Sequence, residues 1–275
     1  MASVSELVEA RELFRNLTLR ELRGKYKKSV LGWAWSLINP LATMGIFTIV
    51  FAYILSVQPE RGDPSGLHSF PFFLLCGLLP WNFLLAGLTG GMGAPLANAG
   101  LIKKVYFPRE VLTASVVTSW AVQFLIELSV LVVALLFVGN VAFQFVPGVI
   151  LVVALQMFFI YGLALMLGAL NVYFRDVQHF LNLFLQLWFY ATPVVYPVSL
   201  VQGKKIHLFG HLFQVSRFYD LNPMVRFVSM YRDLLYDLRW PPLSDLAYVT
   251  GAAIISVLVG RAVFLRLEPR FAEEM

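Results

Sequence analysis

The chain has 275 residues, of which 59% are hydrophobic, 15% aromatic and only 13% charged, with a formal net charge of +5. Its mean hydropathy is +0.74. Soluble domains run nearer about 45–50% apolar and about 25% charged, and an apolar excess this large cannot be hidden in one soluble core, so a soluble enzyme, a nucleic-acid reader and a disordered chain are excluded.

In chain order, the first element expected is a helix over residues 4–23. Ser3 with Glu6 three residues later fits a capping box. Leu7, Ala10, Phe14 and Leu17 then recur at helical spacing among Arg11, Glu12, Arg15 and Glu21. One apolar stripe with basic flanks describes a helix lying in the membrane interface rather than crossing it. No apolar core of a signal peptide precedes it, so no cleavable leader is expected. The cations Arg20, Arg23, Lys25, Lys27 and Lys28 follow, just before Trp33 and Trp35. Two readings of these cations stand: topology and anchoring, or a greeting for the phosphates of an anionic lipid substrate.

About 20 apolar residues at 1.5 Å each cross a hydrocarbon layer of roughly 30 Å. Six stretches qualify, at 34–57, 70–92, 111–138, 146–170, 180–200 and 245–265. Runs such as Val130–Val138 do not alternate, which excludes a β-barrel. The predicted architecture is all-α: six transmembrane helices in one domain, residues 1–275. Within it, 1–33 form a cytoplasmic interfacial helix, 34–200 spans one to five, 201–243 an outer segment, and 244–275 the last span and tail. The surplus of Lys/Arg before the first span, at Lys103, Lys104, Arg109 and Arg175, and at Arg261, Arg266 and Arg270 places both termini in the cytoplasm. Against this, 201–243 carries Lys204, Lys205, Arg217, Arg226, Arg232 and Arg239 on the outer side. Its length and aromatic content point to a structured, partly re-entrant element.

The first span pairs Phe47 with Phe51, and the fifth aligns Phe180, Phe184 and Trp188 at i, i+4, i+8. Such rings serve either helix packing and lipid contact or the stacking of sugar rings along a conduit. Thr192-Pro193 and Tyr196-Pro197 break the fifth helix near its outer end. A break at that depth needs backbone partners from protein or a water-lined cavity, which is where a gate would sit. The loop Pro95–Glu110 is read as a short helix ending at Phe107, because Pro108 restricts the residue before it. A second loop, Asn171–His179, sets Arg175 beside Asp176.

Several chemistries are missing. No GxxxxGK[ST] phosphate loop occurs, so any ATP drive must come from a partner. No Asp-Asp or DxD pair appears, and the lone Cys76 gives neither a disulfide nor a thiolate metal site. His207 and His211, at i, i+4, could pair on a metal but lack a third ligand and are read as interfacial histidines. Asp233 and Asp237, beside Arg232 and Arg239, are read as members of a solvated salt-bridged helix. Glu127 is the one clear charge inside a span; without a relay it makes a weak proton path. It and Arg261 each lie roughly 24 Å along helices that start from opposite faces, so the two are not expected to pair.

The strings KYKKSVLGWAWSLINPL (Lys25–Leu41), YFPRE (Tyr106–Glu110), LNVYFRDV (Leu170–Val177), PVVYP (Pro193–Pro197), and LNPM followed by YRDLL (Leu221–Leu235) together resemble the permease subunit of type 2 ABC exporters for polysaccharides and polyol phosphates. That group includes O-antigen, capsule, teichoic acid and galactan exporters. Lys27-Lys28 departs from the Arg-Gly found in many members. The resemblance implies a homodimeric, multi-pass pore in the bacterial inner membrane, flanked by two copies of a separate nucleotide-binding ATPase. ATP and magnesium would sit on that partner and no cofactor on this chain. It further implies that Leu101, Ile102, Lys103, Lys104, Tyr106, Phe107 and Arg109, with Arg175 and Asp176, form the ATPase-coupling face. Residues 201–235 become outer gate helices, Tyr196 joins the substrate channel with the aromatic stripe, and the substrate is a polyprenyl-diphosphate-linked glycan drawn from the membrane lipid. The alternatives are an ion-coupled lipid-linked glycan flippase and a membrane-embedded glycosyltransferase.

Overall fold

The computed structural model describes residues 11–25, 31–56, 59, 61–198, 205–208, 211–214 and 219–274. Residues 1–10, with the expected capping box, lie outside the described residues, as do Lys27 and Lys28.

The first described helix, α1 (Arg11–Gly24), buries Leu17 and Thr18. A short 3-10 turn, Gly32–Ala34, leads into α2 (Trp35–Phe47), which widens to π geometry over Thr48–Ile54. Three 28-residue helices follow: α3 (Phe70–Ala97), α5 (Glu110–Phe137) and α6 (Val146–Tyr173), with the four-residue α4 (Ala99–Ile102) between the first two. At 1.5 Å per residue each long helix measures about 42 Å, more than a bilayer's hydrocarbon layer. Beyond them lie α7 (Val177–Tyr190), a hairpin of β1 (Lys205–Leu208) and β2 (His211–Gln214), α8 (Pro223–Arg232), α9 (Leu243–Leu267) and the short α10 (Phe271–Glu274). α8 continues as a π turn over Asp233–Asp237 and ends at Leu238 with φ +62°.

Among the described residues five helices are long and apolar enough to cross a membrane: Leu37–Ile54, Phe70–Ala97, Glu110–Phe137, Phe143–Tyr173 and Leu243–Arg270. The expected stretch at 180–200 differs. Its helix starts earlier, at Val177, and stops at Tyr190 after 14 residues, about 21 Å. The cause is Pro193, which cannot donate to a continuing helix, and the chain turns from Ala191 onward. The outer segment differs too. Where helices alone were expected over 201–235, the backbone first pairs as an antiparallel hairpin, Lys205 opposite Gln214 and Leu208 opposite His211.

The main core is built by α3, α5 and α6, with α8 inserted among them and α9 lying along α6. Close approach is set by small residues. At the α6–α9 crossing Gly162 meets Gly260 backbone to backbone, where no side chain fits. Polar cross-ties stitch the interior, because hydrocarbon offers no other partner. Gln156 donates to the Pro80 carbonyl at 2.8 Å and accepts from the Tyr231 hydroxyl at 2.9 Å. Ser256 donates to the Phe159 carbonyl at 2.8 Å.

Candidate functional site

One end of the bundle gathers α1, the 98–109 loop and the last turns of α6 and α9. The loop is a projection on two anchors. Ile102 and Phe107 are buried against Leu17 of α1 and Val111, Leu112 and Val116 of α5. Between the anchors, Lys103, Lys104 and Val105 are exposed and Tyr106 is 95% exposed, while Leu101 is half-buried. The helix ends at Ile102 rather than at Phe107. Residues five apart on a helix point about 140° away from each other, so a continuing helix could not bury both anchors on one side. Unwinding after Ile102 lets Phe107 turn inward, with Pro108 holding it extended.

The far side of this loop is braced by charge. The Arg109 guanidinium donates to the Glu268 carbonyl and lies 3.9 Å from its carboxylate. Glu110, buried, meets Arg261 of α9 at 3.1 Å, so Arg261 has a partner and it is not Glu127. Arg20 of α1 donates to Asn98 at 2.7 Å. The loop is thereby tied to α1, α5 and the C-terminal end of α9. Arg175 and Asp176 stand exposed at the start of α7, with no ion pair between them.

The predicted aromatic residues divide into two groups. Phe47 and Phe51 pack inward: Phe47 stacks on Phe189 at 6.4 Å and Phe51 on Phe70 at 6.4 Å. Trp188 is held by Trp81, 6.0 Å away and edge-on, and its indole N–H donates to Asn222 at 2.8 Å. Phe180 and Phe184 project outward from α7 with Leu183, Leu187 and Tyr190. Tyr196 donates to the Tyr190 carbonyl at 2.6 Å and shares a hydrogen bond with Tyr219. Trp81 and Phe189 were not singled out from sequence. Phe189 lies one residue off the Phe180–Trp188 stripe, and its role shows only when α3 is seen beside it.

The broken helix finds its backbone partners in one buried arginine. Arg232 of α8 donates to the carbonyls of Pro193 at 2.7 Å and Val194 at 2.8 Å, and lies 3.7 Å over the Phe73 ring. Burial lowers its pKa to about 10, which leaves it charged at neutral pH. Asn222 caps α8 through Met224 N–H and donates to the Ala191 carbonyl and Thr192 hydroxyl, both at 3.1 Å. The separated strings PVVYP, LNPM and YRDLL are thus one joint. Beside it, Asp233 and Asp237 share Arg239 at 2.6 and 3.2 Å, which gives the expected salt bridges, but Asp233 is buried rather than solvated and Arg232 serves carbonyls instead.

A second polar cluster joins the end of α1 to α5. Lys25 sits 3.2 Å over the Trp120 ring and donates to Gln123 at 3.2 Å, and Gln123 donates to Glu127 at 3.0 Å. Burial pulls the Lys25 pKa down to about 7, against the nearby Glu127 and Glu21 carboxylates, which favour its charge. Arg23 is exposed. Glu127 is roughly 26 Å along α5 from Glu110, but only about 6 Å beyond the residue that Lys25 reaches. α1 runs beside the first turns of α5, which brings Lys25 to this part of the helix.

Long apolar helices joined by buried polar ties, with a cationic projection at one end, define a multi-pass helical membrane protein. The chain belongs to the ABC-2 type transporter membrane family, whose pattern it matches over residues 12–236. It is 32% identical to the O-antigen export system permease protein RfbA of Myxococcus xanthus, over 99% of this chain and 98% of that one. It is also 32% identical to the RfbA permease of Klebsiella pneumoniae, over 94% of this chain and 92% of the relative. The polysialic acid transport protein KpsM of Escherichia coli shares 24% identity over 90% of each chain.

Proposed function

We propose that this chain is the transmembrane subunit of an ATP-driven exporter that moves a polyprenyl-diphosphate-linked polysaccharide from the cytoplasm to the outer face of the bacterial inner membrane. A separate ATPase subunit powers it and carries the ATP and magnesium. The observation that carries the reading is the 98–109 projection: an exposed tip, Lys103–Tyr106, on two buried anchors and braced to α9. A rigid exposed tip backed by three helices suits force received from a docked soluble partner. The similarity to O-antigen export permeases and to a polysialic acid transport protein supports the glycan class.

In this reading α1 lies in the cytoplasmic interface, both termini are cytoplasmic, and α7 with the 191–198 turn makes the sixth crossing. Residues 201–243 form the outer gate, with α8 re-entrant. The outward faces of α2 and α7 meet a second copy, and of the aromatic set only Phe180 and Phe184 face the passage between copies, since Phe47, Phe51 and Trp188 pack within the chain. Arg20, Arg23, Lys27 and Lys28 stand at the lipid-phosphate entrance, and Lys25 flanks it. Arg175 and Asp176 complete the partner-facing surface. The bonded Gln123 and Lys25 around Glu127 favour this reading over an ion-coupled flippase.

The test is retention of the partner. Tagged protein, gently solubilised from cells that co-express the neighbouring ATPase, is expected to hold a nucleotide-binding subunit. Tyr106→Ala combined with Lys104→Glu is expected to lower that retention at least tenfold while the permease stays monodisperse. Wild-type protein that never retains such a subunit would overturn the reading.

A further inference from the structure

Between α2, α3 and α5 lies a cavity of about 240 Å³. Its wall combines two indoles, Trp35 and Trp120, with four polar side chains, Asn39, Asn82, Gln123 and Glu127. Among the described residues the side chains of Asn39 and Asn82 have no hydrogen-bond partner, and Glu127 uses one oxygen on Gln123. Asn39 is exposed and Asn82 half-buried, so both amides keep free donors and acceptors that can meet a ligand entering the hollow. Three helices thus bring two unpaired amides, a bonded amide and a half-used carboxylate to one hollow, an arrangement suited to a polar, uncharged ligand.

The chemistry of the wall narrows that occupant. An anionic phosphate would face the Glu127 carboxylate, while the nearby cation, Lys25, is already committed to the Trp120 ring and to Gln123. A purely apolar ligand would leave the amides unpaired. An uncharged ring with several hydroxyls satisfies both demands: amide and carboxylate oxygens accept from hydroxyls, amide N–H groups donate to them, and the indoles cover its C–H faces. The volume falls below the roughly 300–1,000 Å³ of pockets for drug-sized ligands, so one ring fits and a chain does not. We propose that this cavity is a saccharide subsite, holding a single uncharged pyranose ring of the exported glycan through Asn39, Asn82 and Glu127 against Trp35 and Trp120. The inference rests on the glycan-export reading and adds to it where one sugar is recognised.

The test is complementation of a deletion strain in the native host, which supplies the true substrate, with surface glycan measured per assembled complex. Asn82→Leu and Asn39→Leu are each expected to lower export five- to tenfold, the loss expected from removing one polar contact to a ligand. Glu127→Gln, which keeps one acceptor oxygen, is expected to lower it about threefold. Ser129→Ala, on the exposed side of the same helix, is expected to match wild type. Asn39 is exposed, so Asn39→Leu guards against a folding defect at Asn82. If wild type restores no surface glycan, the export reading fails. If wild type restores it and Asn39→Leu and Asn82→Leu export as well as wild type, the subsite fails. Tryptophan fluorescence of the complex in nanodiscs, titrated with methyl hexosides and separately with phosphoethanolamine, identifies the ligand. Quenching by a hexoside that is lost in Asn82→Leu supports the subsite. Quenching by phosphoethanolamine and by no hexoside assigns the cavity to a lipid headgroup and overturns it.

Discussion

The first long helix, Leu37–Ile54, and the second, α3, are similarly apolar and both are long enough to cross a bilayer, yet 72% of the apolar window of α3 is buried inside the chain and only 6% of the window of the first. The difference lies in where small residues fall. A side chain built at Gly91 of α3 would stand 2.8 Å from Ala164 of α6, and one at Gly87 would stand 3.0 Å from Ile160. Gly45 of α2 faces open space. α3 is therefore packed on by α5, α6 and α8. The first helix packs on the core through Met44, Phe47, Phe51 and Ala52 and exposes Ile46, Ile49, Tyr53 and Ile54. Equal hydrophobicity means two different things here: a core for α3, and a surface for lipid or a second copy in the first helix.

The largest way to break this contrast is to remove what holds α3 from afar. Arg232→Met strips two buried carbonyls at Pro193 and Val194 of their donor. At about 1–3 kcal/mol for each unsatisfied group, it is expected to cost several kcal/mol, read as a fall in the thermal unfolding midpoint of detergent-solubilised protein. Paired glycine substitutions come next. Gly91→Leu overpacks a close helix crossing and is expected to cost about 3 kcal/mol, whereas Gly45→Leu is expected to stay within about 0.5 kcal/mol. Equal effects would erase the distinction between the two spans.

A smaller effect concerns the proposed assembly rather than fold. Ile46→Asn with Ile49→Asn is expected to leave the unfolding midpoint of the chain within about 2 °C while lowering the dimer fraction in native mass spectra relative to wild type. The smallest effect is a pH slope at the far end. Burial pushes the Asp237 carboxyl up to about 6, against the pull of Arg239. Its folded pKa lies above the unfolded value of about 3.9, so the fold prefers the protonated acid. The associated stability is fully present below about pH 4 and is lost as pH rises through about 6. Asp237→Asn is expected to flatten stability between those pH values and to raise it slightly at pH 7, measured by thermal unfolding across that range.

Much of the candidate site was legible before the structure. The cationic projection around Lys103–Arg109 stands out because polar residues are scarce elsewhere, and Pro108 marks its end. The proline break in the fifth hydrophobic stretch announces a need for backbone partners, but its partner Arg232 lies 39 residues further on and gives no local signal. Neither Trp81 behind the aromatic stripe nor Lys25 beneath Gln123 could be found from periodicity, since both contacts join separate helices. The separation of Glu127 from Arg261 followed from counting along the helices, but the bond to Gln123 and the approach of Lys25 did not, since Lys25 reaches α5 from another segment.

By itself the sequence determined that this chain lives in lipid and where five of its long apolar helices fall. Those follow from local quantities: apolar run length, proline and charge position. Only the tertiary structure decided which helix is core and which is surface, which arginine satisfies the broken backbone, and which polar side chains share a cavity. Such facts depend on approach between segments distant in sequence, fixed by the shape of whole helix faces packed together.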